Sequence, residues 1–246
     1  MLKIINIVVI LSLMTFCFNV LAQEKNVESS NQQWIQYYNQ LKLSDEWALL
    51  ADAGFRWKEK LENKSQYITR FGIGYQLHKN ICVATGVAFL GYYASDKRSK
   101  MEFRPYQELI FKQNFEKIKI QHRFRTEQRF FNQVVGGEIT GEDFFNWRFR
   151  YRFFVTVPIL NLSANNPEGK LSLNIGDEIF INAGKEIVNN VFDQNRVLIG
   201  PVFQINKNIS VSLTYNAQFA STTIAGTYRY TSVLWLGIKQ NIDTSE

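Results

Sequence analysis

The sequence predicts an all-β fold: a transmembrane, antiparallel, up-and-down β-barrel of twelve strands, with ten and fourteen as the other even counts, around a polar lumen rich in Arg and Glu. Three observations predict it. Apolar and aromatic residues recur at period two through nearly the whole chain. The opposite face of each segment is built from Gly, Ser, Asn, Gln and Arg, whereas a water-soluble sandwich or lipocalin would show solvent a face rich in Lys, Glu and Thr. The segments run about 11 to 15 residues, against about 5 or 6 for soluble strands and about 9 to 11 for a tilted strand that crosses a bilayer.

The chain of 246 residues begins "MLKIINIVVILSLMTFCFNVLAQ". Lys3, an apolar run from Ile4, and Val20 and Ala22 at the minus-three and minus-one positions read as a secretory signal peptide over residues 1–22, cleaved before Gln23. The alternative is an uncleaved anchor helix, which Asn6, Ser12, Thr15 and Asn19 argue against. Cleavage removes Cys17 and leaves Cys82 without a partner for an internal disulfide. No other stretch approaches 18 apolar residues, so further spanning helices are not expected. Residues 23–31, "QEKNVESSN", read as a flexible polar segment, and residues 32–246 as the barrel.

The strand candidates follow in order: 32–43, 46–58, 65–78, 80–94, 100–113, 117–131, 144–157, 169–182, 193–206, 208–220 and 226–241. In "EWALLADAGFRWK" Trp47, Leu49, Phe55 and Trp57 share one face and Asp52, Gly54 and Arg56 the other. In "QYITRFGIGYQL" Tyr67, Phe71, Ile73 and Tyr75 oppose Gln66, Arg70, Gly72 and Gly74. In "NISVSLTYNAQF" Val211, Leu213 and Tyr215 oppose Ser210, Ser212, Thr214 and Asn216. Apolar-out, polar-in alternation over long strands is the pattern of an outer-membrane barrel, and Trp47, Trp57, Tyr67, Tyr92, Trp147 and Tyr230 suit its aromatic girdles. Short turns are expected at Ser44-Asp45, Lys79-Asn80, Phe115-Glu116 and Lys207, and longer polar loops near 59–64, 95–99, 132–143, 183–192 and 221–225. Eleven candidates would put the termini on opposite sides. A twelfth strand over 24–31 restores an even number; a miscounted candidate or a polar start threading the lumen would do so too.

The charged face is concentrated in "HRFRTEQRF" and "NWRFRYRFF". Arg123, Arg125, Glu127 and Arg129 share one parity, and Arg148, Arg150 and Arg152 share another, with aromatics opposite. A helix would scatter these arginines; a strand collects them. A turn at Phe115-Glu116 sets Glu108 opposite Arg123, Tyr106 opposite Arg125, Arg104 opposite Glu127 and Glu102 opposite Arg129, which joins opposite charges in three of the four pairs. In the next hairpin Glu127 faces Arg148, Arg125 faces Arg150 and Arg123 faces Arg152. Glu178 and Arg196 add to the same lining, as do Asp52, Arg56, Arg70 and Arg229. Two readings stay open: an interior ladder that fills the barrel and fixes register, and an anion-attracting constriction or binding site, since rings of Arg select anions. His122, Thr126, Gln128 and Asp177 fall on the apolar parity, and a phase-flipping bulge is one remedy.

Other chemistries find little support. The formal charge of +6 falls by one with the signal, and the basic groups lie behind an aromatic surface, so no nucleic-acid partner is expected. His78 and His122 are the only histidines, and neither resembles the His-x-Ser arrangement of outer-membrane phospholipases. A triad assembled from distant strands is defined by geometry and stays open, but the expectation is a protein that is not an enzyme, with Cys82 a small packing residue, no cofactor and no metal site.

The chain also resembles an uncharacterised bacterial outer-membrane β-barrel family labelled only as a domain of unknown function. The resemblance rests on "QWIQYYNQLKLSDEWALLADAGFRW", "EFRPYQEL", "HRFRTEQRF", "NWRFRYRF", "NIGDEIFIN" and "FDQNRVLIGPVFQINKNISVSLTYN", in that order. It implies a barrel in the outer membrane of a Gram-negative bacterium, and it implies no reaction; the signal peptide and the barrel add the expectation of export through the Sec pathway and insertion by the barrel-assembly machinery. The function expected is a narrow pore or solute-binding barrel that favours small anionic solutes, with outer-membrane lipid as its surroundings. The alternatives are a plugged structural or interaction barrel and, third, an outer-membrane hydrolase.

Overall fold

The computed structural model describes residues 25–163 and 166–244. The expected signal peptide lies outside the described residues. Eleven strands are present among those described: β1 Asn26–Lys42, β2 Trp47–Lys58, β3 Asn63–His78, β4 Ile81–Ala94, β5 Lys97–Phe115, β6 Ile118–Val135, β7 Glu138–Ser163, β8 Asn166–Ala183, β9 Phe192–Gln204, β10 Ile209–Ser221 and β11 Thr227–Asp243. Each pairs with its neighbours in chain order, and β1 closes the barrel against β11. The chain is therefore an all-β barrel, as expected.

The count is eleven, not twelve, and the parity problem is solved at the seam. The polar start expected as a flexible segment is strand from Asn26 onward. It runs parallel to β11 without interruption from Asn26 opposite Thr227 to Lys42 opposite Asp243, while all other neighbours are antiparallel. Its unpaired backbone edge is satisfied by β11 along its whole length, which an isolated polar segment in a lumen would not achieve. The N- and C-terminal ends of the barrel strands consequently lie at opposite ends of the barrel.

The pairings are staggered as closure requires. Stepping from partner to partner starting at Lys42 passes through Glu108, Arg125, Arg150 and Phe180 and regains β1 at Glu28, a stagger of 14 residues. Where the wall must admit a bulky side chain, glycine makes the room. Gly72 and Gly86 face each other across β3 and β4, and a Cβ on either would come within 2.7 Å of the Tyr106 hydroxyl.

Inside and outside follow the alternation. Leu49, Phe71, Phe124, Phe149 and Leu213 are exposed on the outer face, whereas Glu102, Glu127 and Phe180 are 1 % exposed or less on the inner one. Tyr92, expected in an outer girdle, points inward and donates its hydroxyl to Glu102 Oε2 at 2.5 Å. The outer face keeps the polar residues that broke the pattern, and they pair across strands. His122 Nδ1 lies 2.9 Å from the Tyr151 hydroxyl, Gln128 donates to Gln107 at 2.9 Å, and Asn195 donates to Asp177 at 3.0 Å.

Connections are shorter than the polar composition suggested. Ser95-Asp96 and Gly136-Gly137, all with positive φ, form two-residue turns, the left-handed backbone that tight hairpins need. The loops expected over 95–99 and 132–143 are mostly ladder, with Gln133 opposite Thr140 and Val135 opposite Glu138. The connections at 43–46, 79–80, 116–117 and 205–208 lie at the end where β11 finishes. Those at 59–62, 95–96, 136–137, 184–191 and 222–226 lie at the end where β1 begins.

Candidate functional site

The twelve charged residues singled out in sequence all lie on the inner wall. Glu102, Arg104 and Glu108 stand on β5, Arg123, Arg125, Glu127 and Arg129 on β6, Arg148, Arg150 and Arg152 on β7, Glu178 on β8 and Arg196 on β9. Adjacent strands in register put the rows side by side, and long guanidinium side chains reach diagonally between them.

The β6–β7 register is the expected one, with Glu127 opposite Arg148, Arg125 opposite Arg150 and Arg123 opposite Arg152. The β5–β6 register is shifted by two. The turn falls at Glu116-Lys117, Phe115 pairs with Ile118, and Glu108 stands opposite Arg125 and Tyr106 opposite Glu127. A shift of two preserves which face each residue takes, so the ladder survives with different partners.

Its bonds form one connected network. Glu102 accepts from Arg104 Nε at 2.6 Å and from Arg129 Nε at 2.8 Å. Glu127, fully buried, lies 2.6 Å from Arg148 Nη2 and from Arg150 Nη1, with Arg104 and Arg125 at 3.8 and 3.7 Å. Glu178 Oε1 accepts from Arg123 at 2.5 Å and from Arg150 at 2.8 Å, and Glu108 pairs with Arg125 at 2.6 Å. Arg148 reaches Asp193 at 3.0 Å. Asp193 was not foreseen, because the pairing of β8 with β9 shifts between Phe180 and Ile181, and this irregularity breaks the alternation where Asp193 joins the ladder. Asp52 and Arg70, at 2.8 Å, form a further pair with Gln36 donating to Asp52.

Two of the twelve stand apart. Arg196 has no ion pair among the described residues and instead stacks on Phe180 and Trp34, 4.5 and 5.4 Å from the ring centroids. Arg152 likewise has none and lies 4.9 Å over Phe154; its Nε is buried without a hydrogen-bond partner. Guanidinium over an aromatic face is a favourable electrostatic contact that leaves the remaining donors available.

The ladder does more than line the wall. Toward the β1 start the lumen is crossed by packed side chains, including Trp34, Leu90, Glu102, Glu127, Phe180, Asn216 and Val233, none more than 3 % exposed. Toward the β11 finish the interior opens into a cavity of about 660 Å³. Its lining carries seven basic side chains (Arg70, Lys112, Lys119, Arg123, Arg125, Arg152, Lys239) and three acidic ones (Asp52, Glu108, Glu178). Each acid is already held by an arginine, as above, so Lys112, Lys119, Arg152 and Lys239 remain without a carboxylate partner among the described residues. The three lysines were missed in sequence because each sits at a strand end, where a charged residue reads as a solvated turn flank. Among the described residues no cluster of His, Cys, Asp or Glu is arranged to hold a metal ion.

A family model described as "Protein of unknown function (DUF2490)" covers residues 31–229. No curated protein and no solved structure matches.

Proposed function

The chain belongs to the family of unknown function DUF2490, and from its geometry we propose that it is an exported outer-membrane β-barrel which admits small anionic solutes to a basic interior chamber and does not pass them onward. One observation carries this reading: a chamber open at one end holds four cations with no ion-pair partner among the described residues, beneath a lumen filled by an Arg/Glu ladder.

The setting in the membrane is supported by strands of 12 to 26 residues with an outer face of Leu, Phe, Val and Ile, long enough to cross a bilayer obliquely. Outer-membrane lipid then covers that face, and the assembly machinery and Sec export bring the chain there. The role is binding, not catalysis. A purely structural barrel would share the ladder, but it has no use for unneutralised charge around an open cavity, since clefts lined by one sign of charge concentrate counter-ions.

Two measurements on refolded, heat-modifiable protein test the proposal. In planar bilayers no stepwise anion current is expected, and inorganic pyrophosphate is expected to bind with an affinity that falls as salt rises. Steady anion-selective current would overturn the blocked lumen; absence of any salt-dependent anion binding would overturn the chamber's role.

A further inference from the structure

The chamber is chemically two-sided. Its β5–β8 wall carries Glu108, Lys112, Lys119, Arg123, Arg125, Arg152 and Glu178. The wall across from it, from β9 through β11 to β1 and β2, carries an apolar strip of Leu198, Val202, Trp235 and Leu50 set among the uncharged polar groups of Tyr38, Asn39, Gln40, Ser210, Ser212 and Thr214. The charges on that side are Asp52, which Arg70 of the neighbouring β3 holds at 2.8 Å, and Lys239 near the β11 finish. A chamber for inorganic anions alone would gain nothing from the apolar strip, which leaves ordered water against Leu198 and Val202 with few hydrogen-bond partners.

Resting on the anion-binding reading above, we infer that the ligand is an amphiphilic monoanion: a single carboxylate or comparable acid on a flat aromatic or short aliphatic body. The acidic group meets Arg152, whose guanidinium is held over Phe154 and forms no ion pair among the described residues, its Nε without a hydrogen-bond partner. The body lies against Leu198, Val202 and Trp235. Lys112, Lys119 and Lys239 stand at the strand ends nearest the opening and draw the anion in. The volume, about 660 Å³, is that of a site for a small organic ligand.

The test compares three probes on wild-type protein in nanodiscs, with empty nanodiscs as the blank: 1-naphthoate, its neutral amide, and acetate. Naphthoate is expected to bind at least about tenfold more tightly than either of the others, because only it engages both walls. Arg152→Gln is expected to remove the preference for naphthoate over the amide, and Val202→Asn the preference for naphthoate over acetate. Equal affinity for naphthoate and acetate, with pyrophosphate still bound, overturns the amphiphile and leaves the anion-binding reading standing. If no anion binds, both fall. Should either variant fail to fold, the three-probe comparison on the wild type decides alone.

Discussion

Arg152 stands directly opposite Glu178 in the β7–β8 pairing, yet the Glu178 carboxylate is taken by Arg123 at 2.5 Å and Arg150 at 2.8 Å. Row pairing therefore does not decide who neutralises whom; diagonal reach does. The two arginines of one strand should respond differently to loss of charge. Arg150→Gln strips Glu127 and Glu178 of a buried donor and is expected to destabilise the barrel by about 3–5 kcal/mol. Arg152→Gln removes a cation that forms no ion pair among the described residues and is expected to be neutral or stabilising. Urea unfolding in lipid vesicles separates them, and equal losses would contradict the assignment.

Glu127 is the hub, with four guanidinium groups within 3.8 Å. Glu127→Gln is expected to cost about 3–5 kcal/mol, since it leaves buried positive charge uncompensated. The Glu28–Arg229 pair, with both side chains half exposed, gives the control: Glu28→Gln is expected to cost less than about 1 kcal/mol. The temperature at which the folded band converts to the unfolded one on a gel reads both.

An odd number of strands has a topological signature. Because β1 and β11 run parallel, a tag placed before Asn26 and a tag placed after Asp243 are expected at opposite ends of the barrel and so, in the proposed outer-membrane setting, on opposite sides of the membrane. Protease or antibody access on intact and permeabilised cells reads this directly, and two tags on the same side would rule out the seam.

Gly86 should not tolerate even a methyl group. A Cβ there would clash with the Phe71 carbonyl oxygen and meet the Tyr106 hydroxyl at 2.7 Å, so Gly86→Ala is expected to cost about 1–3 kcal/mol. Gly141, with nothing within 4 Å of such a Cβ, is expected to accept alanine with little change.

Much of this was legible in sequence for a simple reason. Period-two alternation is a local property, so the inward parity of Arg123 to Arg129 and of Arg148 to Arg152 could be read without knowing any partner. The β6–β7 register was reached by setting Glu127 opposite Arg148, a pair of opposite charges that the structure retains. The β5–β6 register could not, since Phe115 and Lys117 are both acceptable turn flanks and a slip of two keeps every side chain on its face. The extent of β1 was hidden by composition: Glu28, Ser29, Ser30 and Asn31 have low strand propensity, and their pairing comes from β11, a partner about 200 residues away. Asp193 escaped because the irregularity between β8 and β9 leaves no mark in the sequence pattern.

The seam also sets the order of events in folding. All other pairings can form between strands adjacent in the chain, several across two-residue turns. The β1–β11 pairing joins residues such as Ser30 and Thr231, whose hydroxyls meet at 2.8 Å across a separation of 201 residues. Closing that loop carries the largest chain-entropy cost of any contact in the molecule, so the sheet grows strand by strand as an open ribbon and becomes a cylinder last. Until that moment the basic chamber has no far wall, and the apolar side that Trp235 and Leu50 provide does not yet face the arginines. A ligand that needs both walls therefore finds its site only after the seam has closed, and its binding would hold the closed barrel against reopening.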